Sequence, residues 1–220
     1  MSFLRLVLCI LFASSSILAE EKAEKDPGAY AENSKYFDKQ HISEMTNLDS
    51  TLYVMKRDYN TTTGFRCLSA TKVGQHTDGS YVYTLNARSS GESRYYDVTM
   101  TAERTGCHSD ANSAFYEEFP GEGATHHKLM TMDEQRTCFL FATEHRYGGY
   151  GCLLVVSEEI ADQEISEECL TVYNQQCEKG VEPYERSCKD NTSSTPNECK
   201  KHPEKKQPQV LDHLSCRREL

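Results

Sequence analysis

The 220-residue chain contains no tryptophan, no Cys-x-x-Cys pair, no Gly-x-Ser-x-Gly, no phosphate-binding glycine loop and no His-Glu-x-x-His. Those absences remove zinc ribbons, dithiol redox centres, serine esterases, nucleotide-binding loops and zinc proteases from consideration. Basic charge is also scarce. Twenty-four Lys and Arg stand against thirty-four acids, a formal charge of −10. A nucleic-acid binder needs a basic footprint, so none is expected here. Beyond the N-terminus no apolar run approaches twenty residues, so no membrane span is expected. Apolar residues make up 37% of the chain, which implies a modest core that needs covalent staples. The expectation is a protein with no catalytic constellation, no cofactor and no metal site.

What the chain does have is ten cysteines. Met1–Ala19 reads as a secretory signal, with Arg5 as the positive start and an apolar stretch from Leu6 to Phe12 that continues to Ala19. Secretion places the remaining nine cysteines where disulfides form. Two sequons, Asn60-Thr61-Thr62 and Asn191-Thr192-Ser193, agree with an extracellular glycoprotein. The domain reading is 1–19 signal peptide, 20–189 a folded domain, and 190–220 a polar tail rich in Pro, Lys, Ser, Thr and Asn.

Residues Ala29–His41 are expected to form a short helix, with Tyr30, Ser34 and Phe37 at three- and four-residue spacing. From residue 51 the period changes to two. Strands are expected at Thr51–Tyr59, Phe65–Val73, Tyr81–Arg88, Tyr95–Glu103, Ser113–Phe119, Ala124–Met132, Thr137–Thr143 and Gly151–Val156. Ile165–Lys179 then reads as a helix with Ser166 as its N-cap. Eight antiparallel strands followed by one helix imply an all-β up-and-down barrel with the helix packed outside. An immunoglobulin-like sandwich is disfavoured by the missing core tryptophan and the late helix.

Geometry places four cysteines. A hairpin turning at Tyr147 sets Cys152 opposite Ala142, so Cys138 and Cys152 share a face, about 13 Å apart along the strand. Cys169 and Cys177 are eight residues apart on the helix, about 12 Å along its axis and within roughly 80° around it. The helix can therefore lie along the hairpin and bond Cys138 to Cys169 and Cys152 to Cys177. Each link contributes about 2–4 kcal/mol. By the same parity Phe139, Phe141 and Thr143, with Leu153 and Val155, face the barrel interior as candidate lining. Geometry leaves Cys67, Cys107, Cys188, Cys199 and Cys216 unassigned. One of them is the odd thiol, so a disulfide-linked dimer stands beside the expected monomer. His126, His127 and His145 are expected at the surface, because adjacent strand residues point to opposite faces and cannot chelate together.

Leu52–Tyr59, Phe65-Arg66-Cys67, Ser113–Tyr116, Thr137–Leu140, Cys152–Val155 and the series Cys169, Tyr173, Cys177, Tyr184, Cys188 resemble the tick salivary lipocalins of the histamine-binding-protein family, over residues 29–189. The resemblance implies a lipocalin barrel, a further disulfide Cys67–Cys188, and secretion in saliva. It also implies sequestration of a small host mediator, an amine such as histamine or serotonin or a lipid, that suppresses host inflammation or haemostasis. A host-protein-binding immunomodulator that uses the barrel surface is the alternative. In the family's amine signature an acid follows the cysteine equivalent to Cys138, and a second acid lies in the next strand. Here Phe139 and Cys152-Leu153-Leu154 occupy those places. Tyr59 and Phe115 match aromatic pocket positions. Thr99 falls near a family ligand carboxylate. Asp97 and Glu103 share its parity, and Glu117 lies on the face of Phe115, so these are the candidate counter-charges for an ammonium.

Overall fold

The structure, a computed structural model, describes residues 25–191. Residues up to Glu185 belong to one compact unit; the described part of the second is a single 3-10 helix, Arg186–Asn191. The signal segment, Cys199, Cys216 and the side chain of Asn191 lie outside the described residues.

Eight strands follow in chain order: β1 (Leu52–Arg57), β2 (Arg66–Gln75), β3 (Tyr81–Ser89), β4 (Glu92–Glu103), β5 (Ser113–Tyr116), β6 (Thr125–Met132), β7 (Cys138–Glu144) and β8 (Tyr150–Ser157). Each pairs antiparallel with the next, and β8 pairs back with β1 to close an up-and-down lipocalin-type barrel. Two strands end earlier than the alternation predicts. β1 stops at Arg57 because the Asp58 carboxylate takes the backbone N–H groups of Cys152 at 2.6 Å and Glu178 at 2.8 Å. β5 stops at Tyr116 because Glu117 folds back onto the loop that follows it.

The β7–β8 turn is built on Gly148 and Gly149, both at positive φ (+93° and +83°), where a Cβ would be strained. It sets Ala142 opposite Cys152, the register expected from a turn at Tyr147. Helix α3 (Glu167–Gln176) starts at the Ser166 cap, whose side chain accepts from the Glu168 N–H, and carries Glu167 and Glu168 in its first turn. Both features suit a helix N-terminus. It buries Cys169, Val172 and Tyr173 and packs on β6, β7 and β8. Beneath it Leu140, Ala142, Leu154 and Val156 on the hairpin's outer face are fully buried. Cys138 is bonded to Cys169 and Cys152 to Cys177, with Cα–Cα distances of 6.5 and 5.8 Å. Cys67 is disulfide-bonded and so is Cys188, neither to one of these four, and Cys107 is exposed and unbonded.

The N-terminal helix expected over 29–41 is instead three short pieces: α1 (Pro27–Ala31), a 3-10 turn (Ser34–Lys39) and α2 (Ser43–Thr46). The Asn33 side chain takes the Lys35 N–H, a local bond that competes with helix continuation. Tyr30 and Tyr36 stack at 4.2 Å, a contact across the break. The broken path lets this segment close one end of the barrel. Ile42 and Met45 join the core formed by Leu52, Met132, Phe139 and Val155, and the Ile42 N–H donates to the Ala111 carbonyl at 3.0 Å. Gln40, 1% exposed, donates to the Met130 and Tyr30 carbonyls and accepts from His108 Nε2 at 2.8 Å, so this buried amide is paired throughout.

Candidate functional site at the open end of the barrel

Cross-strand pairing fixes which residues face inward. Tyr83 lies opposite Val98, Ala102 opposite Ala114, Leu129 opposite Phe141, and Phe141 opposite Leu153. Directly opposed residues share a face. Phe139, Phe141, Leu153 and Val155 therefore face the interior, but they pack as core against Ile42 and Met45 from the closed end. They belong to the core of the barrel.

A cavity of about 490 Å³ opens between the β1–β2, β5–β6 and β7–β8 loops. That volume is within the usual range for small-molecule sites. Its lining mixes polar and apolar surface: Tyr59, Glu118, Phe119, Thr143, His145 and Arg146 contribute.

The loop geometry follows from a few side chains. The Arg57 guanidinium donates to Thr63 Oγ1 at 2.5 Å and to the Asn60 carbonyl at 3.3 Å, which holds the β1–β2 turn. Asp58 anchors the chain to β8, and Tyr59 then turns inward. Its ring occupies space that Gly151 leaves open, since a Cβ built there would lie 2.8 Å from Tyr59 Cδ1 and 2.7 Å from His145 Nε2. Across the mouth, Glu117 Oε1 accepts from the Gly121 and Gly123 N–H groups at 2.8 and 2.9 Å and shapes the β5–β6 loop. Alternation then sends the next residue, Glu118, inward.

Glu118 is the centre of the site. Its side chain is 16% exposed. The Tyr59 hydroxyl lies 3.0 Å from both carboxylate oxygens and donates to them, and the Tyr96 hydroxyl donates to the Glu118 backbone carbonyl. His127, 2% exposed, places Nε2 at 3.7 Å from Oε2 and stacks on Tyr116 at 4.2 Å. Among the described residues no Lys or Arg forms an ion pair with this carboxylate. Its negative charge is felt by the surrounding phenols. Burial pushes Tyr59 and Tyr116 well above the ordinary tyrosine value, and the nearby Glu118 charge adds to it. Tyr96 is pushed up to about 12, again by burial first and Glu118 second. A sheltered anion ringed by tyrosines favours a cation.

The acids selected from the sequence are elsewhere. Asp97 and Thr99 are exposed on the outer face of β4, the face opposite Val98 and Met100, and Asp97 accepts from the Thr84 hydroxyl at 2.7 Å. Glu103 shares that outer face and lies 3.8 Å from His126 Nε2. Phe115 also points outward and lies against His126 with the rings tilted and their centroids 4.7 Å apart, so the interior aromatic of β5 is Tyr116. Glu117 is a loop anchor. These residues fall on the outer face because the apolar set of β4 and β5 takes the inner one. Of the aromatic candidates, Tyr59 does line the cavity. The histidines also differ from a surface reading: His126 and His127 do point to opposite faces, but His127 is buried, and His145 lines the cavity beside Tyr59, ring centroids 5.6 Å apart. Glu118 escaped the sequence reading because Phe115 was taken as the inward residue of β5, which put Glu117 on the chosen face, whereas Ala114 and Tyr116 are the inward ones.

An eight-stranded antiparallel barrel, plugged at one end and open at the other, with a helix stapled outside, is a lipocalin-type fold. The family described as tick histamine binding protein matches residues 30–190, and the chain belongs to that family. No curated protein matches the sequence. Among solved structures, Japanin from Rhipicephalus appendiculatus bound to cholesterol is similar at 14% identity and a TM-score of 0.48, covering 64% of this chain and 96% of that one. The major allergen Per a 4 from cockroaches is similar at 12% identity and a TM-score of 0.47, covering 66% and 90%.

Proposed function

We propose that the protein is a secreted salivary lipocalin that captures a small host amine, of the histamine or serotonin class, in the open-end cavity, with Glu118 as the counter-charge. The observation that carries this reading is the sheltered Glu118 carboxylate, which faces a cavity, has a phenol as hydrogen-bond donor and forms no ion pair with a Lys or Arg among the described residues, although Arg146 lines the same cavity. A ligand ammonium gives such a partly desolvated carboxylate a charge-assisted hydrogen bond. Tyr59 and its neighbours add attraction between ring faces and the cation. Membership of the tick histamine binding protein family supports the same class. The family's signature acids are missing at Phe139 and in Cys152-Leu153-Leu154, and Glu118 supplies the charge from a different strand end.

A lipid ligand is less well supported, because the apolar residues Phe139, Phe141, Leu153 and Val155 are packed against one another and the N-terminal plug. A host-protein partner has one observation in its favour: Tyr147, at the tip of the β7–β8 loop, is 95% exposed. The reading also includes a Cys67–Cys188 disulfide and glycans at Asn60 and Asn191. Calorimetric titration of the secreted protein with histamine, serotonin and a fatty acid tests it. Saturable binding of an amine is expected; uptake of the fatty acid with no amine binding would overturn it.

A further inference from the structure

The residue after Tyr59 stands on the rim of the cavity. Asn60 lines the opening and is at the same time exposed to solvent. It begins the sequon Asn60-Thr61-Thr62, and all three residues are exposed. Its backbone is held in place. Asn60 adopts a left-handed φ of +48°, a conformation that asparagine enters more readily than most side chains. Its carbonyl accepts from the Arg57 guanidinium at 3.3 Å, from Thr63 Oγ1 at 3.1 Å and from the Thr63 N–H at 3.3 Å. Arg57 is itself 1% exposed, so these bonds tie the turn to the protein interior. One residue back in the chain, the Tyr59 hydroxyl donates to Glu118. A sugar on the Asn60 amide is therefore rooted at a fixed point of the mouth. N-linked sugars are bulky and hydrophilic.

Glu118 among its phenols attracts any primary ammonium that reaches it. A Lys side chain presents that same ammonium on a flexible four-carbon stem, and lysine is a common residue that lies mostly at protein surfaces. Neither the carboxylate nor the rings distinguish a lysine from a free amine. A steric block at the mouth does, because a lysine brings its whole protein with it.

We propose that the Asn60 glycan is a specificity element of the site: it admits free amines to the cavity and excludes ammonium groups attached to macromolecules. This rests on the amine reading above and on glycosylation of Asn60, and goes beyond both by giving the sugar a task at the site. The block is steric, so it acts on the approach of large ligands and leaves the contacts of a small one with Glu118 and Tyr59 as they are.

The test uses secreted wild-type protein and Thr62→Ala, which removes the sequon and leaves Asn60 in place. Glycopeptide analysis first establishes that the wild type carries a glycan at Asn60 and the variant does not. The probe is whichever of histamine and serotonin binds more tightly, in three forms. One is free, one bears a short tail on an atom other than the ammonium nitrogen, and one has that tail joined to dextran. Dextran is neutral, so attraction to the acidic protein does not enter. The free and tailed amines are expected to associate with the two proteins at rates within about twofold of one another. The dextran conjugate is expected to associate at least about tenfold faster with Thr62→Ala than with the wild type. Trimming the wild-type glycan to its first sugar makes the same comparison without a substitution. It also avoids converting Asn60 to Asp, which would add a carboxylate at the mouth. The trimmed protein is expected to take up the conjugate as Thr62→Ala does. Equal association of the conjugate with the glycosylated, trimmed and sequon-free proteins, or an Asn60 without a glycan, overturns the inference and leaves amine capture intact. Failure of both free amines to bind the wild type overturns both.

Discussion

The Tyr59 hydroxyl donates to the Glu118 carboxylate at 3.0 Å, and this contact joins the β1–β2 and β5–β6 loops across the mouth of the barrel. Two consequences are separable. The bond stabilises the empty protein, because a sheltered carboxylate that loses its donor costs about 1–3 kcal/mol. It does not supply the charge that attracts a cation. Tyr59→Phe is therefore expected to lower unfolding stability by about 1–3 kcal/mol in denaturant titration, while amine affinity stays within about threefold, since the ring face remains. A tenfold loss of affinity with unchanged stability would reverse those roles.

The outer acids provide the matching control. Asp97 and Glu103 project away from the cavity, on the face opposite Val98 and Met100. Exposed charges at that distance are screened by solvent. Asp97→Asn and Glu103→Gln are expected to leave amine affinity unchanged within about twofold. A tenfold loss in either variant would place an outer residue in the site and contradict the strand parity given above.

Gly151 is required at the point where Tyr59 and His145 cross β8. A Cβ there would meet both within 3 Å, and neither contact is with the far end of a long flexible chain. Gly151→Ala is expected to cost about 1–3 kcal/mol as overpacking and to weaken amine binding by displacing Tyr59. Thermal unfolding with parallel calorimetry checks both. An unaffected variant would show that the mouth repacks without cost.

Alkaline pH should expose the phenol cluster. Tyr59 and Tyr116 are held well above the usual value of about 10, and Tyr96 is pushed up to about 12. A folded value raised above the unfolded one means that the folded chain keeps phenolic protons that the unfolded chain has lost. The stabilisation is complete below pH about 10 and declines as pH rises toward and beyond 12. A phenolate absorbance titration should show a subset of the thirteen tyrosines ionising only as the protein unfolds. All thirteen ionising together near pH 10 in folded protein would contradict the burial of the cluster.

Peptide mapping of secreted protein addresses the covalent features. Cys138–Cys169 and Cys152–Cys177 peptides are expected, and a Cys67–Cys188 peptide is the further pairing proposed. Enzymatic deglycosylation should convert Asn60 to Asp, because Asn60, Thr61 and Thr62 are all exposed. A peptide linking Cys138 to Cys152 would contradict the helix-on-hairpin arrangement.

The barrel was legible because alternation and turn residues carry it, and β7–β8 shows this best. Gly148-Gly149 sets the register, the register sets which face Cys138 and Cys152 occupy, and a helical spacing of eight residues matches the span between them. The N-terminal plug was not legible. Tyr30, Ser34 and Phe37 have helical spacing, but the segment's course is decided by contacts of Gln40 with Met130 and of Ile42 with Ala111, 90 and 69 positions away in the chain. The candidate site was only partly legible. Tyr59 lines the cavity, but the inward placement of an acid depended on which face of β5 is inward. Phe115 was taken as inward by resemblance, whereas Ala114 and Tyr116 belong to the core, and a shift of one residue changes the face of every side chain. That parity separates Glu117, a loop anchor, from Glu118, which lines the cavity.

The most direct measurement is calorimetric titration of histamine and serotonin into wild-type protein and Glu118→Gln. The substitution keeps the shape and a hydrogen-bonding group but removes the charge. A charge-assisted hydrogen bond contributes about 1.5–3 kcal/mol, which corresponds to a loss of roughly ten- to a hundredfold in affinity. The account predicts that loss in Glu118→Gln with the fold retained. Equal amine affinity in the two proteins would contradict it.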